Sequence, residues 1–167
     1  MYYFDIIKAL FENKIKYLIV GGLAVNLYGV PRVTQDIDLI IYMERENILK
    51  LNHLLKNLGY IPRLAVNPDD LTNKEIIKEW IENKNLKAFS FYNERENYKV
   101  VDIILVHPLD FLKAFERKTI KKIDETEIYI VSIDDLILMK EVVGRKQDFS
   151  DIELLKKVKL WNDEEHV

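Results

Sequence analysis

Cysteine is absent from the 167-residue chain, which excludes a disulfide framework, a thiolate metal site and a cysteine nucleophile. Histidine is scarce, and its three residues, His53, His107 and His166, are scattered without metal-ligand spacing. Glycine and proline number only 5 and 4, and no linker, internal repeat or low-complexity tract marks a domain boundary. No run approaches the roughly 18 apolar residues that span a bilayer, and no basic-then-apolar leader precedes the first helical pattern. A cytoplasmic protein without a membrane partner is therefore expected. Positive charge is not in excess either. A formal net charge of −3 argues against wholesale coating of nucleic acid while leaving room for a local basic patch. What remains is an ordinary globular composition, 49% hydrophobic and 32% charged. The length suits a single domain over residues 1–167 with a real core.

Hydrophobic spacing predicts the order of elements. Residues 2–13 read as a helix with Ile6, Ile7, Leu10 and Phe11 on one stripe. Residues 16–20 form a short buried strand ended by Gly21 and Gly22, and residues 23–28 a short helix closed by Gly29 and Pro31. A second strand covers 35–42. An amphipathic helix covers 44–58 with Gly59 as its stop. Residues 63–73 read as irregular and 74–83 as a helix. Residues 86–92 and 98–106 are two strands joined by a polar turn, hence an antiparallel hairpin. A helix follows Pro108 to about Lys118, and a further strand spans 128–131. Ser132 to Asp135 resembles a capping box opening a helix over 133–143, which Gly144 stops. Asp148 to Asp151 cap a last helix through Val158, and the tail beyond Trp161 is polar. The resulting class is α/β (α+β), a mixed central sheet flanked by helices, with residues 132–160 as a helical C-terminal extension.

Two aspartates one residue apart, Asp36 and Asp38, open the second strand. Acidic residues are disfavoured beside Ile37 and the run Leu39-Ile40-Ile41. Residues i and i+2 of a strand share a face, so both carboxylates project into one small volume. Like charges at that distance are costly unless a cation neutralises them, and a bound divalent metal is the simplest reason to place them there. Asp102 is the only charged residue in the apolar run from Val100 to Val106, which is hard to explain without a partner: a shared metal, or a core Arg or Lys.

A strand ending in Gly21-Gly22, a short helix, and Asp36-Ile37-Asp38 on the next strand together resemble the signature of the polymerase-β-type nucleotidyltransferase superfamily. Gly29, Pro31-Arg32, Thr34 and Leu39 narrow the likeness to its small bacterial and archaeal members, including relatives of abortive-infection toxins that modify tRNA. The stretch from Asp135 to Lys140 and then Gly144 to Ile152 is similar to the helical end of that group. The resemblance implies transfer of a nucleoside monophosphate from an NTP to a hydroxyl of RNA or tRNA, a protein or a small molecule, with release of pyrophosphate. It also implies two Mg²⁺ ions, with Mn²⁺ as a substitute, held by Asp36, Asp38 and Asp102. Asp102 would in addition help deprotonate the acceptor.

Hard oxygen donors suit Mg²⁺, and two such ions neutralise a polyphosphate and align attack on it. The glycine pair lets backbone approach a phosphate closely. Arg32 is placed to reach substrate phosphates or the acidic cluster, and equally suits a loop salt bridge. Thr34 either contacts nucleotide or shapes the loop through a backbone bond. The resemblance puts a phosphate-contacting lysine near Lys140, a position that also suits a snorkelling stem. Arg145 and Lys146 form a basic corner, and Asp148 and Asp151 read as helix-capping residues. A toxin paired with an antitoxin is one expectation for the biological setting. A non-catalytic nucleotide-binding or interaction module that keeps the fold is the alternative to an enzyme.

Overall fold

The computed structural model describes residues 3–164, with side chains to residue 161. Tyr2, expected in the first helix, and the last residues of the polar tail, His166 among them, lie outside the described residues. The elements are α1 (Phe4–Glu12), β1 (Tyr17–Val20), α2 (Gly21–Leu27), β2 (Asp36–Ile41), α3 (Arg45–Asn57) and β3 (Tyr60–Pro62). A 3₁₀ turn (Pro68–Thr72) leads to α4 (Lys74–Lys84), β4 (Ala88–Asn93), β5 (Val100–Ile104) and α5 (Phe111–Glu116). The chain ends with β6 (Thr119–Ile123), β7 (Thr126–Ile130), α6 (Ile133–Val143) and α7 (Lys146–Glu164). No helix among the described residues is long and apolar enough to cross a membrane.

Seven strands form one mixed sheet in the order β3-β4-β5-β2-β1-β7-β6. β1 is antiparallel to β2 and parallel to β7. β2 is parallel to β5, and β5 is antiparallel to β4. All four residues of β1 are buried, as expected for a central strand covered on both faces. Strand alternation divides the rest. Phe89 and Phe91 on β4 turn to one face, where Trp80 of α4 stacks on Phe89 with ring centroids 5.5 Å apart. Ser90 of β4, Asp102 of β5 and Asp38 of β2 lie on the other.

The register aligns Val20 with Asp38, Asp38 with Asp102, and Asp102 with Ser90. One row across four strands thus carries two carboxylates side by side, with Asp36 a step along β2 opposite Val100.

Several expectations shift in position. The glycine pair belongs to α2 itself, with Gly21 at φ +64 making the corner out of β1. Residues 60–73, where no strand was expected, supply β3 and the 3₁₀ turn. β3 has only three residues, and its Pro62 is tolerated because the strand is an edge. β6 escapes a hydrophobicity reading because it is an exposed edge whose sequence, TIKKI, buries almost nothing. The last helix starts at Lys146, so Asp148 sits inside its first turn and not before it. Its side chain accepts the backbone N–H of Arg145 at 3.1 Å, the reciprocal half of a capping box. Ser132 caps α6 by accepting from the Asp135 N–H at 3.2 Å. The Asp135 carboxylate pairs instead with Arg117, through two 2.7 Å bonds.

A buried asparagine sets the relation of α3 to the sheet. The Asn47 side chain accepts the Lys16 N–H at 2.8 Å and donates to the carbonyls of Lys16 at 3.0 Å and Tyr42 at 2.9 Å. It therefore clamps the start of β1 to the end of β2, the pair whose register brings Val20 to Asp38. Asn47→Ala is expected to lower unfolding stability by about 1–3 kcal/mol, since it removes three side-chain hydrogen bonds to part-buried backbone groups. Urea denaturation checks this; a loss under about 0.5 kcal/mol would show the clamp to be unimportant.

Candidate active site

Asp36 and Asp38 project from the same face of β2 and meet Asp102 from the parallel neighbour. Burial raises the Asp38 carboxyl to about 6, with Asp102 and then Asp36 adding like-charge repulsion; Arg145 and a hydrogen bond from the Gly22 N–H oppose the rise. Asp36 is also raised, by burial and then by Asp102, against the pull of Arg63. One oxygen of Asp102, Oδ1, is buried and has no hydrogen-bond partner. A buried acceptor left without a donor is costly and marks a place where a ligand would be welcome.

The glycine corner is shaped around Asp38. A Cβ on Gly21 would lie 1.9 Å from Asp38 Oδ2, an impossible contact, and the positive φ of Gly21 already disfavours any other residue. Gly22 gives its N–H to the Asp38 carboxylate. A Cβ there would lie 2.9 Å from Thr34 Oγ1 and 3.4 Å from Arg32 Nε. The pair thus packs against Asp38 and gives it an N–H.

Thr34 donates its hydroxyl to the Asp36 carbonyl at 3.2 Å, which shapes the turn into β2. Asn26 of α2 holds the same loop, accepting the Arg32 N–H at 2.6 Å and donating to the Arg32 carbonyl at 2.8 Å. The loop's backbone is therefore pinned ahead of the acids, and no periodicity in the sequence marked Asn26 for this.

Lys140 is 5% exposed, and its Nζ donates to Asp151 Oδ2 at 2.7 Å and Asp148 Oδ1 at 3.2 Å. In place of the phosphate contact that the resemblance implies, the structure gives its ammonium two carboxylate partners. Asp148 and Asp151 are themselves 1% and 2% exposed. They do more than cap a helix: Asp148 also accepts from Arg145 Nε at 2.9 Å, and Asp151 lies 3.4 Å from Arg32 Nε. Arg63 was not singled out in the sequence. Its backbone N–H bonds to the Ser90 carbonyl at 2.9 Å, which continues the β3–β4 pairing and brings its charge to Asp36.

Two clefts flank the acid row. One of about 260 Å³ is lined by Gly21, Asp38, Lys87, His107, Met139 and Arg145, among others. The second, of about 380 Å³, is lined by Asp36, Arg63, Ser90, Asn97, Tyr98 and Asp102, with Gln35 and Val100. A larger cleft of about 520 Å³ lies at α3 and β3, and none of the three aspartates lines it.

No trio of His, Asp or Glu among the described residues closes into a metal-holding cage as the side chains stand. The donor set nevertheless fits a hard divalent cation. It is all carboxylate, no direct ion pair among the described residues neutralises it, and one Asp102 oxygen is buried without a partner.

A family model for a nucleotidyltransferase of unknown function (DUF6036) matches residues 4–160, and the chain belongs to that family. No curated protein matches it by sequence. Among solved structures it is similar to the lincosamide antibiotic adenylyltransferase LnuA in its lincomycin-bound form. The identity is 17% and the TM-score 0.61, over 93% of this chain and 94% of that one. It is also similar to ANT(2″)-Ia in complex with adenylyl-2″-tobramycin, at 14% identity and TM-score 0.54, over 95% and 91% of the two chains. An antigenic nucleotidyltransferase-like protein from Paracoccidioides brasiliensis aligns at 18% identity and TM-score 0.52, over 90% and 72%. At these identities the likeness establishes a nucleotidyltransferase fold.

The raised Asp38 carboxyl gives a pH signature. A folded carboxyl that holds its proton to about 6, against about 3.9 in an unfolded chain, binds more protons folded than unfolded between those values. Stability therefore falls as pH rises through that window, and the penalty is complete above it. Without divalent cations, Asp38→Asn is expected to stabilise the protein by about 2 kcal/mol at pH 7.5 and by almost nothing near pH 4. Urea unfolding at the two pH values checks this; an equal effect at both would contradict it.

Proposed function

We propose that the chain is a Mg²⁺-dependent nucleotidyltransferase that moves a nucleoside monophosphate from an NTP to a hydroxyl acceptor and releases pyrophosphate. The observation that carries the reading is the row of carboxylates from β2 and β5. It is uncompensated by any ion pair among the described residues and contains one buried, unpartnered oxygen. A merely structural sheet has no use for such a row. Family membership points to the same chemistry.

Asp36 and Asp38 would hold two Mg²⁺ ions, with Asp102 as a ligand of one of them and Mn²⁺ as an alternative. Bound there, the ions would neutralise the triphosphate and make the acceptor hydroxyl more acidic. The acceptor oxygen attacks the α-phosphorus, the α–β phosphoanhydride bond breaks, and Asp102 assists departure of the hydroxyl proton. The cleft beside Gly21, Asp38 and Arg145 is assigned to the NTP, because it pairs cationic side chains with an apolar wall suited to a base. The polar cleft beside Asp36, Arg63 and Asp102 is assigned to the acceptor.

Residues 1–167 act as one nucleotidyltransferase unit in this reading, with 132–160 as its helical extension, in the cytoplasm where NTPs and Mg²⁺ are supplied. Two solved neighbours are described with a small-molecule antibiotic or its adenylyl product, which supports a small hydroxyl compound as the acceptor. RNA, tRNA or a partner protein is the acceptor in the toxin–antitoxin form of the proposal.

Incubation with each α-labelled NTP, Mg²⁺ and a panel of small hydroxyl compounds, total RNA and protein extract tests the reaction. Label should move to one class of acceptor, and Asp102→Asn should lower that transfer by about 10²–10⁴-fold without lowering the thermal midpoint. Near-normal transfer by Asp102→Asn would remove Asp102 from the mechanism. Absence of both transfer and Mg²⁺–NTP binding would favour the non-catalytic module.

A further inference from the structure

We propose that Asp151, anchored by the buried Lys140, is a positioning residue that holds the Arg32 guanidinium over the glycine corner to receive the phosphates of an NTP. The inference rests on the nucleotidyltransferase reading and adds a part that the acid row does not supply.

Asp151 is the meeting point of three elements. It lies on α7 and accepts from Lys140 Nζ of α6 at 2.7 Å and from Gln147 Nε2 of its own first turn at 3.2 Å. It also forms an ion pair with Arg32 Nε of the α2–β2 loop at 3.4 Å. Two of these contacts lock it. A carboxylate 2% exposed, with an ammonium on one oxygen and an amide on the other, has almost no freedom to move.

Arg32 is held differently. Its backbone is clamped by Asn26 through two hydrogen bonds. Its Nε is buried, yet it reaches Asp151 only at ion-pair distance and makes no hydrogen bond of its own. Among the described residues the guanidinium has no other ion pair. Its Nε also stands 3.4 Å from where a Gly22 Cβ would be, so the side chain lies against the corner that leads from β1 toward Asp38.

Such an arrangement steers a guanidinium without consuming its planar fork. Arg is the side chain best matched to bidentate phosphate contact, and an ion pair of imperfect geometry leaves its terminal nitrogens able to exchange partners. Lys140 has a supporting part in this: its ammonium, 2.7 Å from Asp151 Oδ2, fixes that carboxylate in place, and no phosphate needs to displace it from two carboxylates. A purely structural salt bridge would use the fork in full, as Arg117 does with Asp135 through two 2.7 Å bonds.

A double-mutant cycle tests the tether. Binding of α,β-methylene NTPs with Mg²⁺ is measured by calorimetry for the wild type, Asp151→Asn, Arg32→Gln and the double variant. Each single change is expected to weaken binding about 10-fold, and the double variant to bind no more weakly than Arg32→Gln alone, because Asp151 acts only through Arg32. In turnover assays the loss should fall on KM for the NTP, with kcat changed less than about threefold.

If Asp151→Asn fails to fold, Asp151→Glu takes its place in the cycle, keeping a carboxylate for the buried ammonium of Lys140 while displacing it from Arg32. Multiplicative losses in the double variant, or unchanged binding by Asp151→Asn, would overturn the tether while leaving the nucleotidyltransferase reading intact. Failure of the wild type to bind any NTP analogue would overturn both.

Discussion

The repulsion between Asp38 and Asp102 is the constraint around which the site end of this molecule is arranged. Parallel pairing of β2 with β5 sets the two carboxylates directly beside each other. The like charge of Asp102 adds to the burial that already disfavours an ionised Asp38. Nothing in the register relieves this, because a shift of one residue would turn Ile37 and Leu39 out of the core. The sheet accepts the repulsion as the consequence of burying its apolar face. The fold responds with partial measures: a Gly22 N–H and the Arg145 charge toward Asp38, and the Arg63 charge toward Asp36. None of them satisfies the buried Asp102 oxygen. A cation is the remaining remedy, and it is also what nucleotidyl transfer requires.

Around that row the chain spends its few special residues economically. Gly21 is a glycine because Asp38 occupies the space of its missing side chain. Asn26 clamps the loop that carries Arg32, and Asn47 clamps the start of β1 to the end of β2, the strand that carries Asp36 and Asp38. The helical end contributes a buried charge cluster of its own, Lys140 with Asp148 and Asp151, which passes two arginines toward the site from behind. Buried ion pairs of this kind add little net stability compared with apolar packing. Their use here is geometric: they determine where Arg32 and Arg145 can stand.

Much of this was legible in the sequence. The acids announced themselves by being misplaced, charged residues in β-branched runs, and their period of two predicted the shared face. Burial patterns recovered the central strands, the β4–β5 hairpin and α6 with its Ser132 and Gly144 boundaries. The parts that stayed hidden lack such a contrast. β6 and β3 are edges whose exposed or very short sequences bury too little to show a period. Asp148 and Asp151 looked like caps because an acidic residue near a helix start is common, and only the fold reveals that Lys140 lies between them. Arg63 sits in an irregular stretch and acquires its meaning from β3 pairing with β4. The Gly21–Gly22 pair was noticed for close approach of backbone to an anion, and the structure adds that Asp38 packs against it.

The central claim is that the carboxylate row is incomplete without a divalent cation, and the titration of Asp38 tests it most directly. Carboxyl ¹³C shifts, assigned through Asp38→Asn, can be followed against pH in chelator and again in saturating Mg²⁺ with a non-hydrolysable NTP. The account predicts a midpoint near 6 in chelator and a fall of at least one pH unit when the cation binds. An Asp38 midpoint near the ordinary value of about 4 in chelator, or one that ignores Mg²⁺ and nucleotide, would contradict it.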